Sequence, residues 1–110
     1  MKMIKLISEY IDEEIGDARK YASKALECKE EYPETSKLFY TLSTEELDHA
    51  TRLHKAVVNL IEVYRSENGD PPKEMMFVYD YWHKKQIDNT AQVKIIARSE
   101  ERFSRNAETD

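Results

Sequence analysis

Residues 39–50, with the sequence FYTLSTEELDHA, place an acidic residue and a histidine on the apolar side of a predicted helix. At about 100° per residue, a projection centred on Glu46 brings many apolar residues within about 60° of it. They are Phe39, Leu42, Ala50, Leu53, Val57, Leu60 and Tyr64. His49 follows Glu46 by three residues and shares this side, whereas Glu45 and Asp48 point away. The pattern predicts a long amphipathic helix whose apolar stripe contains a Glu-x-x-His pair.

The segment that precedes it shows the same feature around Glu14. The apolar residues within about 60° of Glu14 are Ile7, Ile11, Ala18, Tyr21 and Ala25. A lone carboxylate in such a stripe costs several kcal/mol unless it is paired, protonated or bound to a cation. We therefore expect Glu14 and Glu46 at the centres of two apolar stripes, each in need of a partner.

Two breaks divide the chain into three predicted helices. Pro33 can begin a helix but cannot continue one, and residues 66–72 form the one loop-like cluster. The predicted helices span about 2–30, 33–66 and 72–103, in a single domain over 1–103 with a frayed tail at 104–110. The short first connection makes helices 1 and 2 an antiparallel hairpin. Glu14 and Glu46 then face each other across it.

Composition narrows the class of protein. The 110 residues include only two glycines and three prolines, which argues against an all-β fold. A net charge of −5 argues against general binding to nucleic acid or anionic membranes. No apolar run approaches the roughly 20 residues that span a bilayer, and no secretory segment is visible. The single cysteine, Cys28, excludes an intramolecular disulfide. We expect an all-α cytoplasmic protein.

Two carboxylates and an imidazole at one level of a hairpin suit iron, manganese or zinc. A structural ion pair or hydrogen-bond network is the alternative, and Arg98 is its likeliest basic partner.

Three helices leave one flank of a bundle open, so we expect a second copy of the chain to cover it.

The stretches EIGDARKY (residues 14–21) and FYTLSTEELDHA resemble the ferritin-like superfamily, closest to its rubrerythrin branch. In that family a helix-1 Glu, with a Tyr seven residues later, faces a helix-2 Glu-x-x-His. Glu14 with Tyr21 and Glu46 with His49 match this spacing, and the resemblance covers about residues 4–65. It implies a ferritin-like four-helix bundle with Glu14, Glu46 and His49 as ligands of iron, or of manganese or zinc.

Helix 3 departs from the family pattern, because it carries no second Glu-x-x-His. Some short members, including the encapsulated ferritins, complete the site across a dimer. The resemblance thus implies a homo-oligomer whose shared site holds two metal ions, with ferroxidase or peroxide- or oxygen-dependent redox activity left open. The alternative is a non-catalytic helical assembly or interaction protein with a degenerate site. The missing second hairpin and the two apolar sides of helix 3 favour that alternative. The chain also resembles short helical proteins encoded by phages and prophages.

Four further residues are candidates for additional or outer-shell roles. Asp17 flanks Glu14 on helix 1, and Tyr21, further along, is either an outer-shell donor or a packing residue, with packing preferred. Asp80 and His83 offer an Asp and a His at the i, i+3 spacing on helix 3. For Asp80 and His83, a polar rim or a hydrogen-bonded pair is the competing interpretation. We expect Gln86 and Asn89 to set helix register by hydrogen bonding, and His54 to be solvated or to cap a helix. Helix 3, which is apolar on two sides, should pack between neighbours.

Overall fold

Three helices account for the fold of this computed structural model, which describes residues 2–109 of the backbone and the side chains of residues 2–99. They are α1 (Lys2–Glu27), α2 (Pro33–Asn68) and α3 (Lys73–Thr109), and the described residues contain no strand. The molecule is a rod with extents of 60 × 18 × 17 Å. The predicted all-α class, with a long helical hairpin and a third long helix, is confirmed.

The helix ends follow local chemistry. α1 ends at Glu27, because residues 28–31 form a turn in which the Tyr32 amide donates to the Cys28 carbonyl at 2.7 Å. Pro33 opens α2, a position at which its missing amide N–H costs nothing. Gly69 ends α2 with a φ of 79°, and its amide donates to the Arg65 carbonyl at 2.9 Å.

The third helix is longer than its sequence predicts. α3 continues to Thr109, beyond the predicted end near residue 103. The side chains of residues 100–110 lie outside the described residues, and the fraying of residues 104–110 stays a prediction. None of the described helices combines the length and the low charge that crossing a membrane requires.

Small side chains with a seven-residue repeat form the contact between α1 and α2. On α1, successive buried positions are four and three residues apart, at Ile4, Ser8, Ile11, Ile15, Ala18, Ala22 and Ala25. On α2, the buried positions Ser36, Ser43, Ala50 and Val57 are seven residues apart. The Ser43 hydroxyl donates to the Ala18 carbonyl at 2.7 Å, and Ser36 makes the same bond to Ala25. This spacing is that of a coiled coil, and the small residues let the two backbones approach closely.

Glu14 and Glu46 lie beside this contact, which corrects the expectation that they occupy the centres of their stripes. Their side chains are 27% and 20% exposed, respectively. The larger apolar residues on the same flank are partly buried, namely Ile7, Tyr21, Phe39, Leu42, Leu53 and Leu60. The apolar stripe is wider than one helix contact, so its small residues form the contact and its large ones line a flank.

α3 packs on the side of α1 that lies opposite Glu14. The Trp82 indole donates to Asp12 Oδ2 at 2.6 Å, and the Gln86 amide donates to Asp12 Oδ1 at 3.0 Å and to the Ser8 carbonyl at 3.1 Å. The predicted register role of Gln86 is confirmed. Glu14 is two residues beyond Asp12, about 200° around the helix, so it faces away from α3.

α2 and α3 contact each other less than each contacts α1, and a groove separates them. Val93 of α3 is fully buried, whereas several other apolar residues of α3 are exposed. They are Phe77, Val78, Tyr81, Ile87 and Ile95. One side of α3 is thus packed against the hairpin, and the packing of its other sides against a neighbour stays a prediction.

Candidate metal centre

Glu14, Glu46 and His49 meet on the flank of the hairpin that faces away from α3. His49 Nδ1 lies 3.5 Å from Glu14 Oε2 and 3.9 Å from Glu46 Oε1. One ligand atom from each residue lies within 4.8 Å of the other two. The hairpin register positions Glu14 against Glu46, and the i, i+3 spacing in α2 adds His49 on the same side.

The electrostatics of this cluster are those of two crowded carboxylates. A hydrogen bond with Glu14 is the largest influence on Glu46, and burial and the negative charge of Glu14 act in the same direction. Together they raise the pKa of Glu46 to about 7, while His49 acts to lower it. The pair therefore retains a proton near neutral pH unless a cation replaces it.

One oxygen of the cluster lacks a hydrogen-bond partner. Glu14 Oε2 is buried, and no described donor satisfies it. In the described part of the chain, the ion pairs of Glu14 and Glu46 involve His49 and no Arg or Lys. Arg98, the basic partner weighed from the sequence, is exposed on α3. A buried carboxylate oxygen without a donor is unfavourable, and a cation would satisfy it.

A family model for rubrerythrin matches residues 5–108 of the chain. The chain belongs to the rubrerythrin family. The match extends well past residue 65, so the third helix is part of the matched family domain although it carries no Glu-x-x-His. The comparisons with curated proteins and with solved structures gave no match. Rubrerythrins typically bind iron, and ferritin-like proteins commonly oligomerise.

The cluster fits a metal of the kind that rubrerythrins use. Carboxylate oxygens and an imidazole nitrogen form a mixed donor set that suits iron, manganese and zinc. The orphaned Glu14 oxygen points to a missing positive charge, and the short distances allow one ion to reach all three residues. Three ligands leave coordination positions open, since iron and manganese take more than three.

Asp17 and Tyr21 lie near the cluster without a resolved role in it. The negative charge of Asp17 contributes to the raised pKa of Glu46, so its carboxylate is close enough to influence the site. Asp17 itself is exposed. Tyr21 stacks on Phe39, with ring centroids 6.1 Å apart, and it therefore helps to build the apolar flank around the cluster. Outer-shell roles for both stay predictions.

The structure does not bring Asp80 and His83 to the acidic cluster. They lie on α3, which packs on the other side of α1, and Asp80 is exposed. His83 stacks instead on His54, with ring centroids 4.4 Å apart. The expectation of a solvated or capping His54 is thus wrong, because this ring is partly buried against His83 between α2 and α3.

The importance of Asp12 was missed in the sequence. Its carboxylate accepts hydrogen bonds from both Trp82 and Gln86 and so holds α3 in place. Asp12 is one of several acidic residues between positions 9 and 17, and its partners lie about seventy residues along the chain. The one available signal was the pair of hydrogen-bond donors on an apolar strip of helix 3.

Proposed function

We propose that this rubrerythrin binds two divalent metal ions, iron by preference, in a site shared between two copies of the chain. Each copy contributes Glu14, Glu46 and His49. The observation that carries the proposal is the buried Glu14 oxygen that makes no hydrogen bond, although it lies 3.5 Å from His49 Nδ1 and beside a second carboxylate. Membership of an iron-binding family supports iron over manganese or zinc.

The second copy is inferred from what the flank exposes. The cluster is open to solvent on the side away from α1 and α2, with the His49 side chain 50% exposed. Partly buried apolar residues extend on both sides of the cluster, so a symmetric contact would cover them and the site together. Two copies would then supply four carboxylates and two imidazoles, the ligand number of a di-metal carboxylate site.

The chain's own residues have distinct tasks in this proposal. Glu14 and Glu46 supply negative charge at one point, and the proton that their proximity retains on Glu46 leaves when a cation takes its place. His49 supplies a nitrogen ligand, and the surrounding apolar flank limits access of water once a second copy covers it. A bound iron pair would supply oxidation of Fe²⁺ by dioxygen or peroxide, which is the chemistry of a ferroxidase.

Anaerobic titration of Fe²⁺ into the metal-free protein tests the proposal. Wild type should bind about one ion per chain, with a rise in melting temperature, because the ion binds only the folded state. Glu46→Ala should lose this binding, and Glu45→Ala, a change at the exposed neighbouring residue, should retain it. Equal iron binding by Glu46→Ala and wild type would overturn the proposal.

A second candidate function is a non-catalytic helical assembly protein whose acidic cluster holds protons instead of metal. The exposed apolar residues of α3, with Phe77 74% and Tyr81 67% exposed, favour it, since they mark a surface for another protein. Elemental analysis of protein purified without chelators separates the two functions. No bound metal, together with a melting temperature that iron and zinc leave unchanged, would favour the assembly protein.

A further inference from the structure

The two histidines outside the acidic cluster contact each other between α2 and α3. The rings of His54 and His83 are nearly parallel, at 7°, with centroids 4.4 Å apart. Tyr79, one turn before His83, also stacks on it, at 5.8 Å. This contact joins two helices that otherwise touch little, on the side of the hairpin away from Glu14.

The imidazole nitrogens of this pair are available to a ligand. Neither ring takes part in a hydrogen bond within the part of the chain whose side chains are described. Burial, and secondarily the proximity of His83, lower the pKa of His54, so its ring is neutral at pH 7 and keeps a free lone pair. Both side chains are partly exposed, so a ligand can reach their nitrogens from the groove that they line.

The surroundings of the pair differ chemically from the acidic cluster. Both rings line a cavity of about 360 Å³ between α2 and α3. Its described lining includes Gln86, Thr90 and Lys94, and it contains no Asp or Glu. An ion that needs carboxylate ligands would find none here, whereas neutral imidazole is a good ligand for Cu²⁺, Ni²⁺ and Zn²⁺.

We propose that His54 and His83 form a second metal site, which takes Cu²⁺, Ni²⁺ or Zn²⁺ and links α2 to α3. A metal–nitrogen bond of about 2.1 Å places the centroids of two imidazoles on one ion about 4.6–5.3 Å apart, for ligand angles between square-planar and tetrahedral values. The observed 4.4 Å is slightly below this range, so the rings must rotate out of their parallel stack and separate by a few tenths of an ångström to bind one ion. Water from the cavity fills the remaining coordination positions.

The histidine content of the chain makes a direct test possible. The sequence contains three histidines, so His49→Ala leaves only His54 and His83 as imidazoles. Untagged His49→Ala protein with less than one equivalent of Cu²⁺ should show electron paramagnetic resonance hyperfine structure from two nitrogens. Adding His54→Ala or His83→Ala should remove that pattern and weaken copper binding at least about tenfold. Loss of a residue that only supports a metal ligand already weakens binding by about this factor, and loss of a ligand should cost no less.

His83→Phe, again in the His49→Ala background, separates metal binding from packing. Phenylalanine keeps an aromatic ring against His54 and supplies no nitrogen ligand. Copper should raise the melting temperature of His49→Ala protein and leave that of the His83→Phe variant unchanged. An unchanged copper spectrum in the His54 and His83 variants would overturn the proposal, as would the absence of a two-nitrogen signal in His49→Ala.

The test is independent of the acidic cluster. Glu46→Ala, which the proposed iron site cannot tolerate, should leave the two-nitrogen copper signal of the His49→Ala background intact. Loss of copper binding in that variant would show that the two sites are not separate and would overturn the second site as proposed here.

Discussion

Asp12 and Glu14 are acidic residues of the same helix, two positions apart, and their carboxylates have opposite surroundings. Both Asp12 oxygens accept hydrogen bonds from α3, one from Trp82 and one from Gln86. Glu14 faces the other flank, where it meets Glu46 and where one of its oxygens is buried without a donor. The chain therefore satisfies one carboxylate and leaves the other unsatisfied.

The difference separates a structural carboxylate from a functional one. An acidic side chain whose oxygens are all bonded within its own chain has no capacity left for a ligand. Two adjacent carboxylates that share a proton and accept no other hydrogen bond favour a cation, since each disfavours the charge of the other. Replacing these residues should consequently affect folding at Asp12 and ion binding at Glu14 and Glu46.

The largest expected effect on stability is that of Asp12→Ala. It removes two hydrogen bonds to a charged acceptor and should lower the free energy of unfolding by about 2–3 kcal/mol. Urea denaturation followed by circular dichroism measures this change. Glu13→Ala, at an exposed neighbouring position, should remain within about 0.5 kcal/mol of wild type. If the two variants are equally stable, Asp12 does not hold α3.

Glu46→Gln, unlike Asp12→Ala, should raise the free energy of unfolding of the metal-free protein. The pKa of Glu46 is raised from 4.5 to about 7 in the folded chain, so its contribution to stability is full below pH 4.5 and is lost as the pH rises through 7. Glutamine does not ionise and escapes this loss. The variant should therefore gain about 1–2 kcal/mol relative to wild type between pH 5 and pH 8.

Urea denaturation at pH 5 and pH 8, with a chelator present to keep the protein metal-free, measures this gain. Glu45→Gln, at the exposed neighbouring position, is the control. Saturating iron should reverse the order, because only wild type has the full ligand set. A pH-independent difference between Glu46→Gln and wild type would show that Glu14 and Glu46 do not share a proton in the folded chain.

The sequence predicts the helices and the acidic cluster because both follow from local spacing. Periodicity places Glu46 and His49 on one side, and the position of Pro33 brings Glu14 opposite them. The placement of α3 could not be predicted, because it depends on pairing Asp12 with Trp82 across seventy residues. Helical projection also could not separate the centre of a stripe from its flank, since both are apolar and only packing distinguishes them.

Trp82→Phe is the finest test of the contrast between the two flanks, because it removes one donor and leaves the Asp12 carboxylate with Gln86. Phenylalanine retains most of the apolar contact, so we expect a loss of about 0.5–1 kcal/mol, smaller than that of Asp12→Ala. The two changes should be non-additive, since Asp12→Ala already removes the acceptor of the indole. A double-mutant cycle in urea measures the coupling. Arg19→Ala, which removes an exposed hydrogen bond to Gln92, should add independently. Additive effects of Trp82→Phe and Asp12→Ala would mean that the 2.6 Å bond contributes nothing to holding α3.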